Sequence, residues 1–186
     1  MDTTSLSLLG RLGGAADPLD WQRFVRLYTP LLCRWARQAG AQDADVADLV
    51  QDTLTKVYRK LPTFAHHRPG SFRAWMRTTL RNRWRDLCRR QQVRPGLVAD
   101  HHLDELPAVD PVGQDGEDCQ RLVARALELI RPEFQPRTWQ AFWEFFTSGE
   151  EAAIVAARLG VSADVIYAAK CRVLRRLRQE LAGVLD

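Results

Sequence analysis

Arg73, Arg77, Arg81, Arg85 and Arg89 recur every four residues and would share one face of a helix. Guanidiniums do no acid–base work at neutral pH; their chemistry is the forked binding of phosphate or carboxylate oxygens. Stacked four apart they repel, by roughly 0.2–0.5 kcal/mol per pair, and Asp86 is the one acid near them. A polyanion lying along the face would turn that repulsion into attraction and release counterions. The face therefore reads as a nucleic-acid surface, with a partner protein or plain solvent as the competing occupants. Bases taken out of a duplex also need aromatic platforms. Phe64, Phe72, Trp75 and Trp84 lie close to the arginines. Most fall at core spacing; one or two at the helix start or in the preceding loop are expected to be exposed.

A second constellation follows Glu150 and Glu151. Ile154, Val155 and Leu159 are spaced to face inward on a short helix, and Gly160 supplies a tight turn. Val161 plugs the junction, and Ser162 caps a longer helix reaching about Leu181. This is a helix-turn-helix pattern, with an ordinary helical hairpin as the plainer alternative. On the second helix Ile166, Ala169, Val173 and Leu177 point inward. Ala163, Asp164, Tyr167, Lys170, Cys171 and Arg175 point outward. Residues at the helix start can reach major-groove base edges, and the later cations suit phosphates.

His66-His67 and His101-His102 lack the i,i+4 spacing and supporting carboxylates of a metal site. No metal, cofactor or catalytic constellation is expected, so the chain reads as a binding protein and not an enzyme. Cys33, Cys88, Cys119 and Cys171 form no CxxC pair, which fits a reducing cytoplasm.

The elements that must position these residues are all helical. Asp17-Pro18 starts a helix whose stripe is Trp21, Phe24, Val25, Tyr28, Leu31, Leu32 and Trp35; Pro30 should kink it and Gly40 end it. A second helix from about Asp43 to Leu61 has Val46, Leu49, Val50, Thr53, Leu54, Val57, Tyr58 and Leu61 on its apolar face. Asp45, Asp48, Gln51, Asp52 and Thr55 lie opposite, and the order of its charges matches the helix dipole. Ser71 caps the arginine helix, whose buried stripe is Phe72, Trp75, Met76, Leu80, Trp84 and Leu87. Further on, Leu122, Val123, Ala126, Leu127 and Ile130 make one stripe; Trp139, Phe142, Trp143 and Phe146 make another, expected to be core.

Charge sorts by segment. The 186 residues carry 27 Lys and Arg against 23 Asp and Glu, a net +4 that is too weak by itself to imply a partner. Residues 55–94, however, hold twelve basic residues and one acid, 95–118 hold seven acids and no Lys or Arg, and 170–178 hold five basic residues and no acid. The middle stretch, with its prolines and glycines, reads as an extended, mobile linker. The expected fold class is all-α: a tail (1–16), a helical domain (17–94), an acidic linker (95–118) and a helix-turn-helix domain (119–186). No apolar run reaches the ~18 residues a membrane helix needs, and Leu6 to Leu12 is too short and polar for a signal peptide.

Taken in order, these pieces resemble an extracytoplasmic-function (ECF) sigma factor, a two-domain bacterial transcription initiation factor. The resemblance runs from about Asp17 to Leu181. It rests on Asp45-Val-Ala-Asp-Leu-Val-Gln-Asp52, on Gly70-Ser-Phe-Arg-Ala-Trp-Met-Arg77 leading to Arg81-Asn82, and on Leu159-Gly-Val-Ser162 followed by Ala169-Lys-Cys-Arg-Val-Leu-Arg-Arg-Leu-Arg178. It implies that Asp48, Gln51 and Asp52 dock on the clamp coiled coil of core RNA polymerase. It also implies that the loop 62–70 and the following helix melt and read the minus-ten promoter element through Phe72, Trp75, Arg77, Arg81, Asn82 and Arg85.

Under the same resemblance Ser162, Asp164, Tyr167, Lys170, Cys171, Arg172 and Arg175 read the minus-thirty-five element. The acidic linker threads the polymerase's basic RNA exit path. Family members often have Pro where Ser162 stands, and an acid and a tyrosine at 164 and 167 depart from the pattern, so no upstream target sequence carries over. No domain is expected after Leu185, so a regulator such as an anti-sigma factor would act in trans or at the level of expression. Two other readings compete: a stand-alone helix-turn-helix transcription regulator, which leaves the acidic and arginine helices without a shared purpose, and an enzyme acting on nucleic acid through the histidine pairs.

Overall fold

The computed structural model of the chain describes residues 11–12, 17–64, 71–92 and 111–182. Among them are seven α-helices and no strand: α1 (Pro18–Gln38), α2 (Asp43–Lys60), α3 (Ser71–Gln92), α4 (Pro111–Ile130), α5 (Pro136–Ser148), α6 (Ala152–Leu159) and α7 (Ala163–Leu181). The all-α class is as expected. No single helix among the described residues is long and apolar enough to cross a membrane. Both histidine pairs lie outside the described residues.

Local chemistry sets the boundaries. The Asp17 carboxylate accepts the Leu19 amide at 2.9 Å, with Pro18 opening α1. Gly40, Gly149 and Gly160 take positive φ where α1, α5 and α6 stop. Ser71 is the first helical residue of α3, one position inside its expected cap. Ser162 holds the cap position of α7, but its side chain makes no capping bond, contrary to expectation; only its carbonyl engages, accepting the Val165 amide at 3.1 Å.

Pro30 leaves α1 unbroken. Its ring nitrogen has no hydrogen to give, so the Arg26 carbonyl four residues back loses its helical partner. Arg125 of α4 takes that place, its Nε donating to the Arg26 carbonyl at 3.2 Å. The backbone defect of one helix is thus the anchor point of another.

α4 also differs from expectation at its start. The stretch 111–118, which reads in sequence as the end of an extended linker, is helical. Further along, from Leu122, the helix buries two sides at once. Leu122 and Ala126 join the cluster built by Phe24, Leu31, Leu49, Met76 and Leu80 of α1–α3, to which Leu181 of α7 also belongs. Leu127 and Ile130 join a second cluster with Phe142, Val155, Ile166 and Val173 of α5–α7. The first cluster takes in Leu12 as well, and Arg11 pairs with Asp20 at 2.9 Å, so the expected tail adds to the core.

Several apolar residues lie outside where their spacing would put them inside. Tyr58, Trp143, Phe146, Ile154 and Val161 are exposed. An α-helix of this size offers one stripe to the core, and the first four flank stripes already filled by Val57, Phe142 and Val155, whereas Val161 stands in the turn between α6 and α7.

An ionic network ties the two halves. Arg23 of α1 pairs with Glu180 of α7 at 3.0 Å and with Glu133; Arg176 reaches Glu133 at 2.6 Å and Glu180 at 2.8 Å. Glu180 is fully buried, so its charge depends on these partners. Burial alone would raise the Glu133 carboxyl; the Arg176 and Arg23 guanidiniums outweigh it and hold the group below its ordinary range.

Two outcomes follow from this packing. Leu122→Ala removes the α4 knob from the first cluster and is expected to cost about 2–5 kcal/mol in urea unfolding. Because Glu133 binds its proton less readily folded than unfolded, its stabilising contribution is complete above pH 4.5 and is lost as pH falls below that value. Thermal melts should therefore show wild type losing stability below pH 4.5 more steeply than Glu133→Gln.

Candidate nucleic-acid interface

α3 divides its residues by a simple offset. Phe72, Met76, Leu80 and Trp84 are buried, four apart, against α1 and α2. The arginines sit one position later. Phe72, expected to contact a DNA strand, is therefore core: it is 1% exposed and meets Phe24, Tyr28 and Phe64 edge-on at 5.9, 5.8 and 5.4 Å. Trp75 is half-buried beside Phe64, with ring centroids 4.8 Å apart; residues 65–70, which hold most of the expected strand-capture loop, lie outside the described residues. Of the four aromatics beside the arginines, Phe64 and Trp75 are thus partly exposed, while Phe72 and Trp84 are buried.

The arginine ladder is not uniform. Arg81 and Arg85 are partly exposed, and Asn82, Arg89 and Arg90 are exposed. Arg73, by contrast, is buried, with its Nη1 donating to Cys119 Sγ at 2.7 Å. Arg77 pairs with Asp118 at 2.5 Å, and its guanidinium carbon stands 4.7 Å over the Trp35 ring. Trp35 Nε1 donates to the same carboxylate oxygen, Oδ2, at 2.8 Å. One residue earlier, Glu117 pairs with Arg34 at 2.7 Å, which holds the Glu117 carboxyl below its usual range. Three consecutive residues of α4 thus engage three arginines and a tryptophan of α1 and α3.

These bonds leave polar atoms over. Asp118 Oδ1, Arg73 Nε and the Tyr28 hydroxyl are buried without a hydrogen-bond partner. Burial pushes the Tyr28 phenol far up, with the Arg73 charge pulling the other way. In sequence Asp118 is one more linker acid, and nothing local marks it as a buried partner. The nearest signal is that it adjoins a stripe beginning at Leu122.

The expected docking residues lie on the solvent face of α2. Asp48, Gln51 and Asp52 are all exposed, at i, i+3 and i+4. Asp52 also stands 3.4 Å from Arg83 of α3, on the flank of that helix away from Arg77, Arg81 and Arg85. Beside them Trp21, Val25, Leu54 and Tyr58 line an apolar groove of about 740 Å³, with the Tyr58 ring edge-on to Trp21 at 4.9 Å.

In the C-terminal half, α6 and α7 meet at 106° across Gly160, whose φ of +65° turns the chain. On α7, Asp164, Tyr167, Cys171 and Arg175 are exposed, as their spacing implied, and so are Ser162 at the cap and Arg172; Ala163, expected outward, is half-buried against the second cluster. Lys170 is half-buried, its Nζ 5.2 Å from the Phe145 ring, which also meets Tyr167 edge-on at 6.2 Å. Arg137, near the start of α5, joins Arg172 in lining a hollow of about 560 Å³ with Gly160 and Val165. No local spacing could have linked Arg137 to Arg172.

Residues 24–94 match the family described as Sigma-70 region 2. The RNA polymerase sigma factor CnrH of Cupriavidus metallidurans is 30% identical over 186 residues, covering 96% of this chain and 93% of the relative. The ECF RNA polymerase sigma factor SigE of Mycolicibacterium smegmatis is 26% identical, covering 97% of this chain and 69% of its own. Among solved structures, CnrH in complex with the cytosolic domain of CnrY superposes at a TM-score of 0.39 with 22% identity, over 95% of this chain and 96% of that one. With CnrH matched almost end to end, the chain belongs to the extracytoplasmic-function sigma factors of RNA polymerase.

Proposed function

We propose that this chain docks on core RNA polymerase through Asp48, Gln51 and Asp52 and directs it to a two-part promoter. Residues 17–94 act as the docking and minus-ten unit, and residues 119–186 as the minus-thirty-five unit. The observation that carries the reading is the α2–α3 pair: an exposed acidic face on α2 and, on the helix packed beside it, an outward-facing row of Arg81, Asn82 and Arg85. An acidic face suits a basic patch on a protein partner, and the cationic one suits phosphates.

On α3, Arg81 and Arg85 hold the backbone of the opened strand, Asn82 offers a donor and an acceptor to a base edge, and Trp75 offers a ring for stacking. On α7, Asp164 and Tyr167 face the base edges of the upstream duplex, while Arg172 and Arg175 hold its phosphates. Ser162 and Cys171 border that surface. The protein contributes binding energy that favours one promoter class and its melted form, and carries out no chemistry of its own. It works beside the polymerase in the cytoplasm, and an anti-sigma protein acting in trans belongs to the same proposal.

Run-off transcription with core polymerase on a genomic promoter library tests the reading; a chain that neither binds core nor directs initiation overturns it. Tight duplex binding with no polymerase present would instead favour a stand-alone regulator. Asp48→Lys with Asp52→Lys should weaken core binding by about tenfold or more, ~1.4 kcal/mol, with the circular dichroism melt retained. Arg81→Ala with Arg85→Ala should spare core binding and slow promoter opening in permanganate footprints. The salt slope of strand binding should fall by about 0.7 for each phosphate no longer held.

A further inference from the structure

The outer face of α7 is uneven in size and in charge. Asp164, Ala168, Cys171, Arg172 and Arg175 are exposed and lie three or four residues apart, so they share one side of the helix. The middle of that side is small, with Ala168 and Cys171 between an acid at the start and two arginines further on. Lys170 is drawn away from it, its Nζ 5.2 Å from the Phe145 ring, and Tyr167 stands at the border, edge-on to the same ring. The cations of the face therefore begin at Arg172, about two turns after Asp164.

Asp164 has no cationic partner. Glu144 and Glu150 are taken by Arg158, and Glu180 by Arg23 and Arg176, whereas Asp164 forms no ion pair among the described residues. The helix dipole accounts for an acid in the first turn. On a surface that meets DNA, however, a carboxylate is repelled by the nearby phosphates, and it is tolerated only where it gains a donor on the groove floor. The small Ala168 and Cys171 let the helix axis approach closely enough for a side chain as short as aspartate to reach that floor.

An ionised carboxylate only accepts hydrogen bonds. In the major groove guanine N7 and O6 and thymine O4 are acceptors as well, and they repel it; the donors are cytosine N4 and adenine N6. Adenine N6 lies between its own N7 and the O4 of the paired thymine, so a carboxylate that reaches it meets acceptors on both sides. Cytosine N4 has an acceptor on one side only, the guanine O6 of its pair. Cytosine is the base that a single short carboxylate selects.

We propose that Asp164 reads one cytosine of the upstream duplex through its N4 amino group and excludes the other three bases at that position. This rests on the reading of α7 as the minus-thirty-five helix and adds the base that its first turn selects.

The test uses holoenzyme assembled from core polymerase and the full chain, on a promoter that supports run-off transcription, with about 10 upstream base pairs randomised. Bound duplexes are recovered and sequenced for wild type, Asp164→Ala and Asp164→Asn, and matching circular dichroism melts check that the helix is intact. Wild type should hold one C·G pair that Asp164→Ala releases, the preference there falling about tenfold while other positions are unchanged. Asp164→Asn should shift the preference toward adenine where cytosine stood, because an amide pairs with adenine N6 and N7 together. Arg172→Ala should instead weaken binding to all upstream sequences alike and lower the salt slope by about 0.9.

If Asp164→Ala leaves every upstream preference as it was while Arg172→Ala weakens binding, Asp164 serves the helix alone, and the proposal fails with the upstream assignment of α7 intact. A released pair that is A·T in wild type overturns it as well. So does strict retention of cytosine by Asp164→Asn, since an amide no longer repels adenine N7. If wild type prefers no upstream base and Arg172→Ala changes nothing, the assignment of α7 has itself failed, and the proposal with it.

Discussion

The structure depends on α4 being buried on two sides at once. Leu122 and Ala126 complete the core of the first three helices, and Leu127 and Ile130 belong to that of the last three. A helix in that position has little freedom in rotation, since turning either pair toward water exposes apolar surface at roughly 25 cal/mol per Å². Its rotation then dictates where Glu117, Asp118, Cys119 and Arg125 point. The polar contacts of the seam are consequences of that apolar constraint. Arg125 meets the carbonyl freed by Pro30 because Leu122 and Ala126 hold α4 against α1.

Electrostatics explains why the seam is polar there. A helix with cations at 73, 77, 81, 85 and 89 repels itself along its length. Relief requires anions brought from elsewhere, since Asp86 alone shares that region of sequence. The ends of the ladder find different solutions. Arg77 is compensated inside the molecule by Asp118, Arg73 is buried against the Cys119 sulfur, and the exposed Arg89 and Arg90 are left to solvent. A buried carboxylate between an arginine and a tryptophan is costly to strip of one partner, because the other would face an uncompensated charge. This makes the contact specific.

Much of the fold is legible in spacing. Periods of three and four locate α1, α2, α3 and the α6–α7 pair, and Asp17-Pro18, Gly40 and Gly160 place ends where the structure has them. Other assignments fail for a common reason. Phe72 belongs to the buried stripe by its spacing and becomes a strand contact only through the family resemblance; it is one rung of the row that α1 and α2 cover. Trp143, Phe146 and Ile154 are apolar and sit at helical spacing, but their stripes are complete without them. Hydrophobic period tells which residues share a face; it does not tell how wide a face the neighbours cover.

The sequence by itself determined the helices, the polarisation of charge along the chain and the motifs that mark a sigma factor. These are local: a helix answers to residues three and four apart, and a charge block to composition. Only the tertiary structure decided which arginines are open. Arg77 and Asp118 are far apart along the chain, and Asp118 lies within a stretch whose composition is that of a linker. Their contact is held by the packing of α4 against two cores at once, a condition no short window of sequence contains.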